Sequence, residues 1–413
     1  MSDSAFSYAR YSRALRAAFV LATMVGTAAF SASQAVNFVA NTDFTLSNVI
    51  FDDAGNLYGT TNTGGGSSNC HAVGCGTVFE LSPKSGGGYT MTTLYSFNGD
   101  TDGVWPAGGL VRDSKGRLFG TASQGGVNFD CCGLIFMLTP TKSGWEETIL
   151  YRFSGPDGLE PVSNLLLDAK GNLYGITYVG GASNLGTVFR LSPSGSSWKL
   201  TTLHTFTGTG DGGRPLGILF DAAGNIFGNT QYGRTTANPC GEVFELSFSG
   251  GSWREHTLHS FSGKSGDGCE PSSSFVFDGS GGFYGVASIG GIDNGGTVYH
   301  FSQSGGVWTE STLYRFTRGD DGGTPEALAK SPAGDLYGIT NYGAPNGCDS
   351  IDGCSQVFKL TQSAGTWSVG AVYPTPNRRP SGAGLTFDSS GNLFGTVADF
   401  HYDSSGNVFE FTP

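Results

Sequence analysis

Residues 168–191 read DAKGNLYGITYVGGASNLGTVFRL, and the two short motifs at the ends of this stretch decide the fold. The first, Asp-x-x-Gly-Asn-Leu-Tyr-Gly in its commonest form, recurs with substitutions as Asp52 to Gly59, Asp113 to Gly120, Asp168 to Gly175, Asp221 to Gly228, Asp278 to Gly285, Ser331 to Gly338 and Asp388 to Gly395. The second, Gly-Thr-Val-Phe-x-Leu, follows each copy as Gly76 to Leu81, Gly133 to Leu138, Gly186 to Leu191, Gly241 to Leu246, Gly296 to Phe301, Ser355 to Leu360 and Gly406 to Phe411. The final glycines of the first and last copies of the first motif are 336 residues apart over six intervals, a period of 56. Repetition on this scale marks an array in which one supersecondary unit packs against copies of itself.

Working outward, each second motif is followed by an aromatic-led segment such as Trp198 to Phe206, and then by a Gly-x-Asp-Gly-x-x-Pro loop that enters the next copy. Each unit therefore holds four short alternating runs bounded by Gly, Asp, Ser and Pro, which reads as a four-stranded antiparallel meander. In the fourth unit the strands, a to d, are expected at Leu216 to Phe220, Asn225 to Gly228, Glu242 to Leu246 and Trp253 to Phe261. One such sheet buries too little surface and leaves open edges. Seven arranged radially pack face to face, so residues 36–413 are expected to form one all-β domain, a seven-bladed β-propeller. The seventh unit has no d strand after Phe411, while Val36 to Ala40 precede the first a strand without a unit of their own. This N-terminal strand is expected to complete the last blade and close the ring.

Composition agrees. Of 413 residues 68 are Gly, 13% are aromatic and 14% are charged. That much glycine without a Gly-X-Y period excludes collagen and a mostly helical chain, and the aromatic content excludes disorder. Lys and Arg number 22 against 34 Asp and Glu, a net charge of −12, the wrong sign for holding a phosphate backbone, so nucleic acid is not an expected partner. Arg10, Arg13 and Arg16 precede an apolar run from Ala17 to Phe30 and small residues ending at Ala35. This pattern is that of a secretory signal, residues 1–35, and its apolar run is shorter than the roughly 20 residues needed to span a bilayer. The mature chain is expected to have no transmembrane segment, to be monomeric, and to be secreted to the periplasm or the exterior. The eight cysteines fit an oxidising compartment: Cys70 with Cys75, Cys131 with Cys132 and Cys348 with Cys354 lie close enough for local disulfides, which leaves Cys240 for Cys269. They lack the Cys-x-x-Cys or interleaved His spacing of a zinc site.

The pairing of Asn-Leu-Tyr-Gly-Thr with Gly-Thr-Val-Phe-x-Leu resembles the GloVer tandem repeat of bacterial secreted and surface proteins, over nearly the whole mature chain. The resemblance implies an envelope or extracellular setting and carries no catalytic residues with it. Members often have C-terminal anchors, and none is recognisable here.

A meander puts the b-to-c and d-to-a connections on one face. The turns of the other face are nearly constant, whereas the glycine-to-glycine interval across the b-to-c loop is 17 residues from Gly59 to Gly76, 13 from Gly120 to Gly133 and 11 from Gly175 to Gly186. Variation confined to one face of a constant scaffold points to a ligand there. The d-to-a loops add Asp100, Asp102, Asp157, Glu160, Asp211, Asp267, Glu270, Asp320 and Asp321. Were these to converge on a funnel, Arg214, Arg318, Arg379 or a cation would have to balance them. Asn98-x-Asp100-x-Asp102-Gly103 opens like a calcium loop, but its twelfth position is Gly109. Ca2+ is thus the one cofactor the acids suggest, and the plainer reading is that Asp before Gly builds a tight turn.

Trp145, Trp198, Trp253, Trp308 and Trp367 each begin a d strand and are expected to pack between blades. Trp105 lies outside that register and, with Tyr178, Tyr232 and Tyr342 after the b strands, could form a stacking platform. Asn62, Gln124, Gln231 and Asn341 occupy neighbouring positions and offer paired donors and acceptors. Aromatic faces beside amides suit a sugar. No Gly-x-Ser-x-Gly, His-Glu-x-x-His or complete phosphate loop occurs. His256 and His259, three apart on a strand, are expected on opposite faces. Asp157 with Glu160 could serve glycoside or lyase chemistry, which needs two acids at a fixed separation. The expected function is a binding module for a polar small molecule, glycan or surface protein, ahead of a carbohydrate-active enzyme and of a structural envelope protein.

Overall fold

The repeat becomes a blade. In the fourth unit the strands run Gly213–Phe220, Ile226–Tyr232, Glu242–Ser249 and Ser252–Ser260, each hydrogen-bonded antiparallel to the next. The first two are longer than expected because their ladder continues to one face of the blade, where Gly213 pairs with Tyr232, and the third runs on toward the opposite face, where Ser249 pairs with Ser252. The structure, a computed structural model, describes residues 37–43, 47–99, 101–126, 131–233, 239–343, 355–375, 379–398 and 405–413. These contain 28 strands in seven four-stranded antiparallel sheets, a seven-bladed β-propeller. Residues 34–413 make one compact unit; the expected secretory segment lies outside the described residues. Among the described residues no helix is long and apolar enough to cross a membrane.

Ring closure follows the expectation. The last sheet takes Asn37–Asp43 as its outer strand beside Ser405–Phe411, with Asn37 opposite Glu410 and Thr42 opposite Gly406. Residues in or just before the first strands of all seven sheets line a central channel of about 430 Å³, among them Asn48, Ala107, Asn164, Leu216, Ser274, Lys330 and Leu385.

Two sequence features explain the packing. The strand Leu57–Thr61 is buried at all five positions, because neighbouring blades cover both faces of the sheet and no polar alternation is needed. Its Gly59 lies opposite Phe79, and a Cβ at 59 would come within 2.6 Å of the Phe79 ring. The same glycine–aromatic pair recurs in every blade, as Gly120 with Phe136 and Gly395 with Phe409 illustrate. Just after the outer strand, Phe97 meets Phe136 of the next blade edge to face at 5.2 Å; Phe153, Phe206 and Phe316 repeat the contact with Phe189, Phe244 and Phe358, and Phe261 meets Tyr299 in a tilted version of it. The tryptophans that open the outer strands pack across blades as expected: Trp145 against Tyr58, Trp198 against Phe119 and Trp308 against Phe227.

The Asp-x-x-Gly-Asn motif is a turn. Oδ1 of Asp221 accepts the N–H groups of Ala223 and Asn225, and its Oδ2 accepts the Asn225 amide. Asp113 uses Arg117 and Asp278 uses His300 in place of that amide. An outer-strand bulge opposite Val243 and Phe244 corrects one expectation. The extra residue shifts the alternation, so His256, opposite Glu245, and His259, opposite Val243, share a face rather than pointing apart.

Candidate functional site

The face carrying the d-to-a and b-to-c loops is organised by a latch between blades. Trp105, Glu160, Arg214, Glu270 and Thr324 each precede a proline at the start of an inner strand, and all five have φ between 54° and 56°. A non-glycine residue before proline is normally extended, so this left-handed backbone is strained and must be held from outside. The hold comes from the preceding blade. Their N–H groups donate to the carbonyls of Cys75, Cys132, Leu185, Cys240 and Gly295 at 2.7–3.2 Å, and the proline ring that follows sits on the glycine after that carbonyl. Three of the five acceptor carbonyls belong to disulfide-bonded cysteines: Cys70–Cys75, Cys131–Cys132 and Cys240–Cys269 are formed, the last joining adjacent blades. Cys348 and Cys354 lie outside the described residues.

The latch gives five blades one backbone that carries four kinds of side chain, glutamate twice. Beside it stands the residue five places after the Leu or Ile of the second strand: Asn62, Tyr178, Gln231 and Asn341. The two positions meet at Arg214. Its guanidinium lies over the rings of Tyr178 and Tyr232, 5.1 and 5.0 Å from their centroids. Nη1 donates to the Tyr178 hydroxyl at 3.3 Å, and that hydroxyl donates to Oε1 of Gln231 at 2.5 Å. Asn341 donates to Oε1 of Glu326 at 2.5 Å. Glu326 is a residue that sequence reasoning missed; burial, and then the charge of Glu270, push its carboxyl up to about 7. Its one signal was position, directly after a latch proline.

The other expected residues are placed differently. Trp105 is half-buried and packs against the core between the first two blades, away from Tyr178 and Tyr232. Tyr342 is 45% exposed beneath Arg318. Gln124 pairs with Val104 through its backbone, and Asn62 Oδ1 is buried without a hydrogen-bond partner. The loop aspartates stay in their own loops. Asp102 accepts from the Asn98 N–H and Tyr95 hydroxyl, Asp157 from Ser154 and Tyr151, Asp211 from Thr207 and His204, Asp267 from Ser262 and His259, and Asp321 from Thr317 and Tyr314. One outer-strand Tyr or His and one turn N–H thus engage one Asp in each of five blades. Burial alone would raise Asp211 and Asp267, but these hydrogen bonds hold both below the usual carboxylate range. Asp320 is exposed, and Asp100 and the side chain of Arg379 lie outside the described residues. Among the described residues no three His, Cys, Asp or Glu gather as a metal would require.

The Gloeobacter/Verrucomicrobia repeat matches residues 20–238 and 235–413. The chain belongs to this family. As a Gloeobacter/Verrucomicrobia repeat protein it is similar in fold to a protein from Bacteroides uniformis assigned as a 6-phosphogluconolactonase, at 17% identity and a TM-score of 0.52 over 83% of this chain and 89% of that one. It is similar to the extracellular domain of a one-component system from B. thetaiotaomicron, at 11% identity and a TM-score of 0.56 over 91% of this chain and 39% of that one. A Lactobacillus plantarum protein matches at 12% identity and a TM-score of 0.51 over 89% and 90% of the two chains. Likeness at these identities is one of fold. Comparison with curated proteins gives no match.

Proposed function

We propose that this Gloeobacter/Verrucomicrobia repeat protein acts outside the cytoplasm as a binding module, taking a polar, carbohydrate-like ligand at the channel mouth. The observation that carries the reading is the latch: one costly backbone geometry recurs at the same position before a proline in five blades and carries Trp105, Glu160, Arg214, Glu270 and Thr324. A strained but repeated backbone with varied side chains fits a scaffold specialised for recognition. Tyr178, Gln231 and Tyr232 supply the aromatic and amide groups that suit a sugar. A glycan array is the test. Wild type is expected to retain a defined subset of glycans, and Gln231→Ala or Tyr232→Ala to lose them with an unchanged melting temperature; absence of binding to any glycan removes the proposal.

Glu326 favours a second reading, carboxylate-based turnover of a carbohydrate. A carboxyl near 7 beside Glu270 is poised as a general acid. Under this reading polysaccharide turnover disappears in Glu326→Gln and, in wild type, declines as pH rises through about 7; turnover unchanged in Glu326→Gln excludes it.

A further inference from the structure

We infer that the ligand at the channel mouth carries a carboxylate and that Arg214 receives it, so that the module selects acidic sugars of the uronic type. This rests on the carbohydrate reading above. The argument begins with charge. Three other half-buried cations meet acceptors, Arg117 pairing with Asp113 at 2.6 Å, Lys359 with Asp335 at 2.8 Å and Arg315 donating to the Gly266 carbonyl at 2.7 Å, while Arg190, like Arg214, keeps a buried Nε without a partner. Among the described residues no carboxylate lies within ion-pair distance of Arg214; the Tyr178 hydroxyl is its polar partner, and its Nε is buried without one. A half-buried guanidinium without a counter-ion favours an anion from outside.

Geometry makes the anion planar and small. With its faces over Tyr178 and Tyr232, the guanidinium keeps its N–H groups in plane for a two-pronged bond to a carboxylate. The Tyr178 proton points to Gln231, which leaves the hydroxyl as an acceptor toward Arg214 and holds the fork in place. The Arg214 backbone is itself pinned, its N–H bonded to the Leu185 carbonyl at 2.7 Å. The adjoining blades present Glu160 and Glu270 at the equivalent position. These acids accept bonds from sugar hydroxyls but repel further negative charge, so a singly charged carboxylate fits better than a sulfate-rich or phosphorylated sugar.

The test uses the full mature chain with four probes: oligogalacturonates, their methyl esters, neutral galacto-oligosaccharides, and sulfated galacto-oligosaccharides. Oligogalacturonate is expected to bind at least about tenfold more tightly than its methyl ester, a change that needs no alteration of the protein. Arg214→Gln and Arg214→Lys are expected to lose a similar factor for the acid and none for the ester, with unchanged melting temperatures. Equal binding of acid, ester and neutral sugar, unaffected by Arg214→Gln, overturns the inference and leaves the carbohydrate reading standing. Preference for the sulfated probe overturns the carboxylate assignment. Failure of all four to bind overturns the inference for these sugars, and the wider glycan array then decides the carbohydrate reading separately.

Discussion

The ring of Pro106 occupies the space a side chain at Gly76 would need: a Cβ there would lie 2.5 Å from Pro106 Cδ. Gly76 enters the third strand of one blade and Pro106 the inner strand of the next. Gly133 with Pro161, Gly186 with Pro215, Gly241 with Pro271 and Gly296 with Pro325 repeat the relationship. Two motifs that look independent in the sequence, the glycine of Gly-Thr-Val-Phe and the proline of Gly-x-x-Pro, are therefore two halves of one joint between blades.

A methyl group in that joint should loosen it. Gly186→Ala places a Cβ 2.4 Å from the Thr177 carbonyl oxygen and 2.6 Å from Pro215 Cδ at a φ of +93°, whereas Gly224→Ala shares a positive φ of +86° with nothing within 4 Å. The second substitution should cost about 1 to 2 kcal/mol for its backbone alone, and the first roughly 2 kcal/mol more. Denaturant unfolding of both variants decides it; equal losses would mean that the joint's close contacts, the proline's included, are not restrictive.

Removing the N-terminal strand should open the ring. Without residues 37–43 the last blade has three strands and Ser405–Phe411 becomes an exposed edge. The truncated chain is expected to melt at a sharply lower temperature and to self-associate through that edge. A melting profile and sedimentation behaviour identical to those of the intact chain would contradict non-covalent closure.

The disulfides should differ in weight. Cys240 and Cys269 are 29 residues apart and join two blades, so chain-entropy arguments give about 3 to 4 kcal/mol for that bridge. Cys131 and Cys132 are adjacent and close almost no loop. Cys240→Ser with Cys269→Ser is expected to lower the unfolding midpoint well below that of Cys131→Ser with Cys132→Ser. The reverse order in chemical denaturation would show that the vicinal pair matters through its hold on the Glu160 latch instead.

Stability should fall at both ends of the pH range for opposite reasons. Burial alone would raise Asp278, but the N–H groups of Ser280 and Gly282 and the His300 ring hold it at about 2. Its unfolded value is near 3.9, so its contribution is complete above that pH and is lost as pH falls from about 4 toward 2. His259 has the other sign: burial lowers it, yet Asp267 lifts it above 6.5, so its contribution is complete below 6.5 and fades as pH rises through the lifted value. Unfolding midpoints across pH should show a shallower acid limb in Asp278→Asn and a flatter alkaline limb in His259→Gln. Superimposable curves for wild type and variants would refute both assignments.

Much of the fold was legible because repetition writes it out seven times. The turn aspartates depend on neighbours within one unit, and the closing strand, expected at Val36 to Ala40 and found at Asn37–Asp43, depends on simple strand counting. The site was legible only in part. Tyr178, Gln231 and Tyr232 stand out as post-strand polar and aromatic residues, but their meeting at Arg214 is set by a left-handed backbone that only the preceding blade's carbonyl can hold. Asp102, Asp157, Asp211, Asp267 and Asp321 share a loop motif, yet each is bonded within its own loop.

By itself the sequence determined the unit, its number and its closure, since strand periodicity and turn chemistry act over a few residues and are recorded wherever the motif recurs. Tertiary structure alone decided which side chains meet at Arg214, how the bulge turns His259 toward the face of His256, and how far burial lifts Glu326. Those outcomes arise where blades touch, between residues tens of positions apart, and a local pattern carries no record of the neighbour across the joint.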